Sequence, residues 1–236
     1  MAKIRWPLVV RRTHKWVALF VGLQVVLWTL SGFYMVVVHI DKIHGDDLVR
    51  SPPVMSFSLA GMIPPSDLLV SSPDATEVKL QRLGDRPVWR VETKAGAYLH
   101  DAGTGRRLPA LSEAEILAAA QRFFATPTRI VDARLLTVAP QEVQTRKPPI
   151  WQVEFEGWNR PTLYISPTTG EMLSRRHLLW RVFDFAWMLH IMDYANRTNV
   201  NNPLLRVATW SAFAMALSGA WLLFWSFPRR KRKKPA

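Results

Sequence analysis

The chain has 236 residues, no cysteine, 11 tryptophans and a formal net charge of +13. That length suits one or two domains. Without cysteine there is no disulfide, thiolate metal site, iron–sulfur cluster or thioether-linked haem, so the compartment has to be read from membrane signals.

Residues 1–15 form a basic tail, with Lys3, Arg5, Arg11, Arg12 and Lys15 and no acid. The next 23 residues, 16–38, carry no charged side chain. At 1.5 Å per residue they cross a hydrocarbon core of about 30 Å. The apolar run is too long for a signal peptide and no small-x-small cleavage site follows it, so 16–40 is expected to be a transmembrane helix.

Residues 41–176 contain an internal repeat. "PVWRVET" (87–93) is matched by "PIWQVEF" (149–155), and "YLHDAGTGRRL" (98–108) by "YISPTTGEMLS" (164–174). Each copy alternates apolar and polar residues, as half-buried antiparallel strands do, and carries a Thr-Gly turn. A helix is expected ahead of each set of strands. Over 111–125, Ser112 caps, Glu115 follows three residues on, and Ile116, Ala119, Ala120 and Phe123 form the apolar stripe. Its counterpart over 56–72 is interrupted by Pro64 and Pro65. Two helix-plus-sheet units, about 56–108 and 111–174, result. They contain no nucleophile elbow, phosphate loop or paired-carboxylate motif, and His100 and His177 read as surface histidines.

"FDFAWMLHIMDY" (183–194) is apolar and aromatic, but Arg181, Asp184, His190 and Asp193 are too many polar groups for a lipid-facing span. Residues 177–203 are therefore expected to be an interfacial helix and loop. A second span follows at 204–227, then a tail, 228–236, with six basic residues from Arg229 to Lys234. Eleven of the 31 Lys and Arg flank the two spans; the other 20 face 18 acids between them. By the positive-inside rule both termini are cytoplasmic and the loop is exported. A charge that flanks spans does not pattern a nucleic-acid face. The fold class is an α+β membrane protein, with two transmembrane helices flanking the two-unit domain and the interfacial helix.

The paired units "PVWRVET…DAGTGRRL" and "PIWQVEF…SPTTGEML" resemble PepSY domains. The segment "THKWVALFVGLQVVLWTLSGFYMVV" (13–37) resembles a PepSY-associated transmembrane helix, and "FDFAWMLHIMDY…NNPLLR" with "LSGAWLLF" (217–224) resembles the last part of the same proteins. Larger relatives with four spans include bacterial inner-membrane reductases of ferric siderophores that hold b-type haem through histidines. The resemblance implies a compact inner-membrane member with a periplasmic domain. It would bind non-covalent haem b and reduce free or chelated ferric iron, with a quinol or flavin as possible reductant. Having half the helices, it would need a homodimer to complete a four-helix site. The rival expectation is a non-enzymatic, membrane-anchored module that binds an envelope protein or serves an iron transporter as an accessory subunit.

Haem held this way needs axial imidazoles, an apolar slot and basic groups for the propionates. His14 and His39 bracket the first span, 25 residues apart. Helical geometry returns them to within about 20° of one face and about 37 Å apart, so they would serve two sites. Gly32, on the same stripe, would let a flat ring approach the backbone. The bland reading keeps His14 in the basic flank and His39 snorkelling at the interface. Extending the helix places His190 with Phe183, Ala186, Trp187, Tyr194 and Arg197, opposite Arg181. Asp193 is then expected to orient its second ring nitrogen and Arg197 to meet a propionate, while Trp187, Trp28 and Trp210 either line the slots or serve the membrane belt and the helix packing. The candidate site residues are His190, His39, His14, Arg197, Gly32 and Trp187.

Overall fold

The computed structural model describes residues 6–50 and 56–226, so Lys3, Arg5 and the basic run from Arg229 lie outside the described residues. The chain separates into two compact units, one of Met1–His39 with Val182–Ala236 and the other of Ile40–Arg181.

The first unit is helical. Helix α1 (Trp6–Val37) packs on a last helix, Pro203–Ser226. Both contain stretches long and apolar enough to cross a membrane, Leu8–Val37 and Pro203–Phe224. The chain covers little of this apolar surface: Phe20 and Phe224 are 78% and 79% exposed. A core helix of a soluble protein would bury such a stripe, so the exposure suits a lipid surround. Residues from Val182 onward in the helix Leu178–Ile191 also belong here. That helix has 14 residues. It spans about 21 Å at 1.5 Å per residue, short of a bilayer core. It stops because Met192 takes a left-handed conformation, φ 55°.

The second unit is α+β. After a short helix α2 (Ile40–His44) comes α3 (Pro65–Ser71), with Pro65 at its first position, where the missing N–H costs nothing. Strands β1 (Ala75–Leu83), β2 (Arg86–Thr93) and β3 (Gly96–Asp101) form an antiparallel sheet in that order. Helix α4 (Glu113–Phe123) follows, closed at its start by a complete capping box between Ser112 and Glu115. A second antiparallel sheet then runs β4 (Ile130–Leu136), β5 (Ile150–Phe155), β6 (Thr162–Ile165) and β7 (Met172–Arg176). The remaining helices are α5 (Leu178–Ile191) and α6 (Pro203–Ser226).

The two repeat copies are β2–β3 and β5–β6, and the first strand of each sheet precedes its copy. In the first copy the closing strand is reduced to one bridge, His100 to Arg107. Leu83, Val88 and Leu99 from one sheet, Ile116 and Ala120 from α4, and Val153, Leu163 and Ile165 from the other share one core. Phe124 stacks on Phe155 within it, centroids 4.3 Å apart.

A polar network ties β6, β7 and the first turn of α5 together. Arg181 donates to the Glu142 carboxylate from Nε (2.8 Å) and Nη2 (3.0 Å), and Nη2 also reaches Thr162 Oγ1 (3.1 Å). Tyr164 donates its hydroxyl to the same carboxylate, and Arg176 Nε donates to the Glu142 carbonyl. Burial alone would raise the Glu142 carboxyl, but the hydrogen bonds from Arg181 and Tyr164 bring it below its ordinary value. Tyr164 is pushed well up by burial and by the adjacent carboxylate.

Two expectations about histidines are corrected. His177 is fully buried and His100 is 7% exposed, so neither is a surface residue. Each finds local polar partners: His100 Nδ1 lies 3.0 Å from the Gly105 carbonyl, and His177 Nδ1 lies 3.2 Å from Asn159 Nδ2. Burial holds His177 below the usual imidazole range.

Candidate functional site

His14, near the start of α1, sets its Nδ1 2.8 Å from Ser218 Oγ on α6. The ring packs over Gly219, where a Cβ would come 3.3 Å from His14 Cε1. Beside it lies a groove of about 440 Å³, lined by Val9, Val10, Thr13 and Val17 of α1 and by Ser211, Ala214 and Met215 of α6.

His190, one residue from the end of α5, makes the same kind of contact with a different helix. Its Nδ1 lies 2.9 Å from Ser31 Oγ on α1, and Ser31 is only 4% exposed. A Cβ on Gly32 would lie 3.9 Å from His190 Cε1. The backbone is held as firmly as the ring. The last carbonyls of a helix have no partner of their own. Here Gln24 Nε2 donates to the Leu189 carbonyl (3.1 Å), Trp28 Nε1 to that of His190 (2.8 Å) and Asn202 Nδ2 to that of Ile191 (2.8 Å). Along α5 the rings of Phe183, Trp187 and His190 stand near-parallel, with centroids 6.3 and 6.5 Å apart.

Several expected roles change. The helix ends at Ile191, so Tyr194 and Arg197 do not share its face. Asp193 does not orient His190. Its carboxylate accepts from the backbone amides of Asn199, Thr198 and Asn196 at 2.9–3.1 Å, and these bonds hold it below the usual carboxylate range. Arg197 is ion-paired with Asp184, so its charge is already matched, although its Nε stays buried without a hydrogen-bond partner. Trp187 donates its indole N–H to the Arg197 carbonyl at 3.2 Å. Trp28 is a clamp on α5, and Trp210 is 70% exposed. The ring that approaches Gly32 is the imidazole of His190. His39 lies just past the end of α1, exposed, in the link to α2.

Ser31, Ser218, Gly219, Gln24 and Asn202 were not singled out as site residues on the sequence. A signal for three of them was present: "LSG" occurs in each of the two long apolar helices, at 30–32 and 217–219. Ser31 follows His14 by 17 residues on α1, about 25 Å along the axis. The two imidazoles are thus presented at well-separated levels of one helical unit. Among the described residues no group of three or more His, Cys, Asp or Glu is arranged to hold a metal ion, so each imidazole offers itself singly. Compared with family models, curated proteins and solved structures, the chain matches none.

Proposed function

We propose that the chain is a b-type haem protein of the bacterial inner membrane that passes electrons across the bilayer and reduces ferric iron, free or chelated, at the periplasmic face. The observation that carries this reading is the pair His14 and His190, each held at Nδ1 by a serine and packed on the following glycine. At the His14 level the residues present fit haem, an imidazole beside an apolar groove; at the His190 level the fit rests on the imidazole and the flanking aromatic rings. With Nδ1 engaged, Nε2 is the nitrogen that would hold the haem, and the groove beside His14 is mainly apolar. Haem bound at these histidines would supply a one-electron ferric/ferrous couple. The chain's own contribution is to orient one imidazole at each level, and to keep water from it with aliphatic and aromatic side chains.

A second copy would supply the other ligand at each level by presenting its own His14 and His190, with His39 of the same chain as the alternative partner of His190. Both termini are cytoplasmic on the charge count, which puts His14 at the inner level and His190 at the outer. The strand-bearing domain, resembling PepSY units, would then lie in the periplasm. The rival reading, an exported module that binds an envelope partner, is favoured by a cleft of about 470 Å³ on sheet β1–β3, lined among others by Asp74, Tyr98, His100 and Arg107. Single His14→Ala and His190→Ala variants distinguish the two. On the haem reading each loses part of the bound haem and slows ferric-chelate reduction in proteoliposomes. On the module reading neither alters any absorbance above 350 nm or so.

A further inference from the structure

The two serine contacts carry more than position. Ser31 Oγ lies 2.7 Å from the Leu27 carbonyl oxygen and 3.2 Å from that of Trp28. Ser218 Oγ lies 2.9 Å from the Met215 carbonyl oxygen. Two oxygens so close repel unless a proton lies between them, and a carbonyl has none to give. The single hydroxyl proton of each serine is therefore spent on its own helix, the back-bonding that serine commonly makes there. Towards the histidine each Oγ can only accept. The Nδ1 atoms at 2.9 Å (His190) and 2.8 Å (His14) must then be the donors.

We infer that Ser31 and Ser218 are positioning residues that hold Nδ1 of His190 and His14 as the hydrogen-bond donor, so that each neutral ring is locked into the Nδ1–H tautomer with its lone pair on Nε2. The two Leu-Ser-Gly segments are thus two copies of one ligand-presenting device. In each, a helix carbonyl accepts the serine hydroxyl's hydrogen bond, the serine oxygen accepts that of the imidazole Nδ1–H, and the far nitrogen faces away from the serine. The device is used crosswise, since α6 presents a histidine of α1 while α1 presents a histidine of α5. Its two copies are 159 and 204 residues apart in their pairings, which is why neither follows from local sequence. The tautomer stands on hydrogen-bond geometry alone. Its purpose, to aim Nε2 at an axial position and to make the ligand more electron-rich through the Nδ1–H bond, rests on the haem reading.

The test uses the full chain in detergent, labelled with ¹⁵N-histidine and free of haem. Ring-nitrogen shifts and two-bond couplings distinguish the tautomers. The wild type should show His14 and His190 in the Nδ1–H form. Ser31→Ala should disturb only His190 and Ser218→Ala only His14, and Ser31→Thr, which keeps a hydroxyl, should restore the His190 pattern. Helical circular dichroism checks that each variant is folded, and the wild-type tautomers decide the matter even if one is not. In haem-loaded protein Ser31→Ala should also raise one midpoint potential and leave the other in place. Wild-type histidines in the Nε2–H form, or alanine variants that leave both rings unchanged, overturn the inference. Protein that shows these tautomers yet takes up no haem leaves it standing and overturns the proposed function instead.

Discussion

Replacing Arg181 with Met keeps the aliphatic stem and removes both donors to Glu142. Removing one partner of a buried ion pair costs about 3–5 kcal/mol, whereas an exposed pair is worth about 0–1 kcal/mol. The two side chains here are 31% and 17% exposed. Glu142 also keeps the Tyr164 hydroxyl. The low end of the buried range therefore applies, about 3 kcal/mol, or roughly 10 °C in Tm for a unit of this size. The pH dependence sharpens the test. In the wild type the Glu142 carboxyl sits below its ordinary 4.5. Its stabilisation is complete above that value and is lost as pH falls through the lower native one. In R181M burial dominates and the carboxyl moves up, so acid relieves the variant. Thermal unfolding of the full chain in detergent should show a gap between the proteins that is wide near pH 7 and narrows towards about pH 4. A loss below about 1 kcal/mol, or a gap that widens in acid, refutes the reasoning.

Other expectations are local. Gly45 has φ +69°, and a Cβ there would meet His177 Cδ2 and Nε2 at 2.9 Å. Gly45→Ala should therefore cost about 2 kcal/mol in the melting of the same unit, from overpacking and backbone strain together; a loss under about 0.5 kcal/mol would show that His177 gives way freely. The two site glycines should behave differently. A Cβ at Gly32 meets His190 in ordinary contact at 3.9 Å, whereas one at Gly219 presses on His14 at 3.3 Å. Gly219→Ala should shift the His14 ring resonances and Gly32→Ala should leave those of His190 in place, and equal shifts in both would contradict the packing described.

Much of the architecture is legible in residue pattern. The two long apolar helices show as uncharged runs, α4 as a capping box ahead of an apolar stripe, and β2, β3, β5 and β6 as alternation repeated in two copies. Strands β1 and β4 lie outside the two repeated segments and went unread, although Glu77, Val78, Lys79 and Leu80, and Asp132, Ala133, Arg134 and Leu135, alternate polar and apolar residues as half-buried strands do. Charged side chains on one face of these outer strands also guard the edge against further pairing. The end of α5 escaped for a different reason. Helical periodicity continues formally through Asp193 to Arg197, but the backbone turns at Met192 and Asp193 is spent on the amides of the following loop. His100 and His177 show that burial of a histidine depends on carbonyls and amides brought up by the fold, which composition does not contain. At the candidate site the histidines stood out as polar residues in apolar runs, while their serine partners could be found only from contacts spanning most of the chain.

The central claim is that this chain holds haem at His14 and His190. Its most direct test is the haem content and the reduced-minus-oxidised absorption spectrum of the full-length protein purified from haem-sufficient cells. With each level completed by a second copy, the account predicts a red protein carrying one non-covalent haem per chain, with b-type reduced bands. Colourless protein, folded and dimeric by the same preparation, would contradict it.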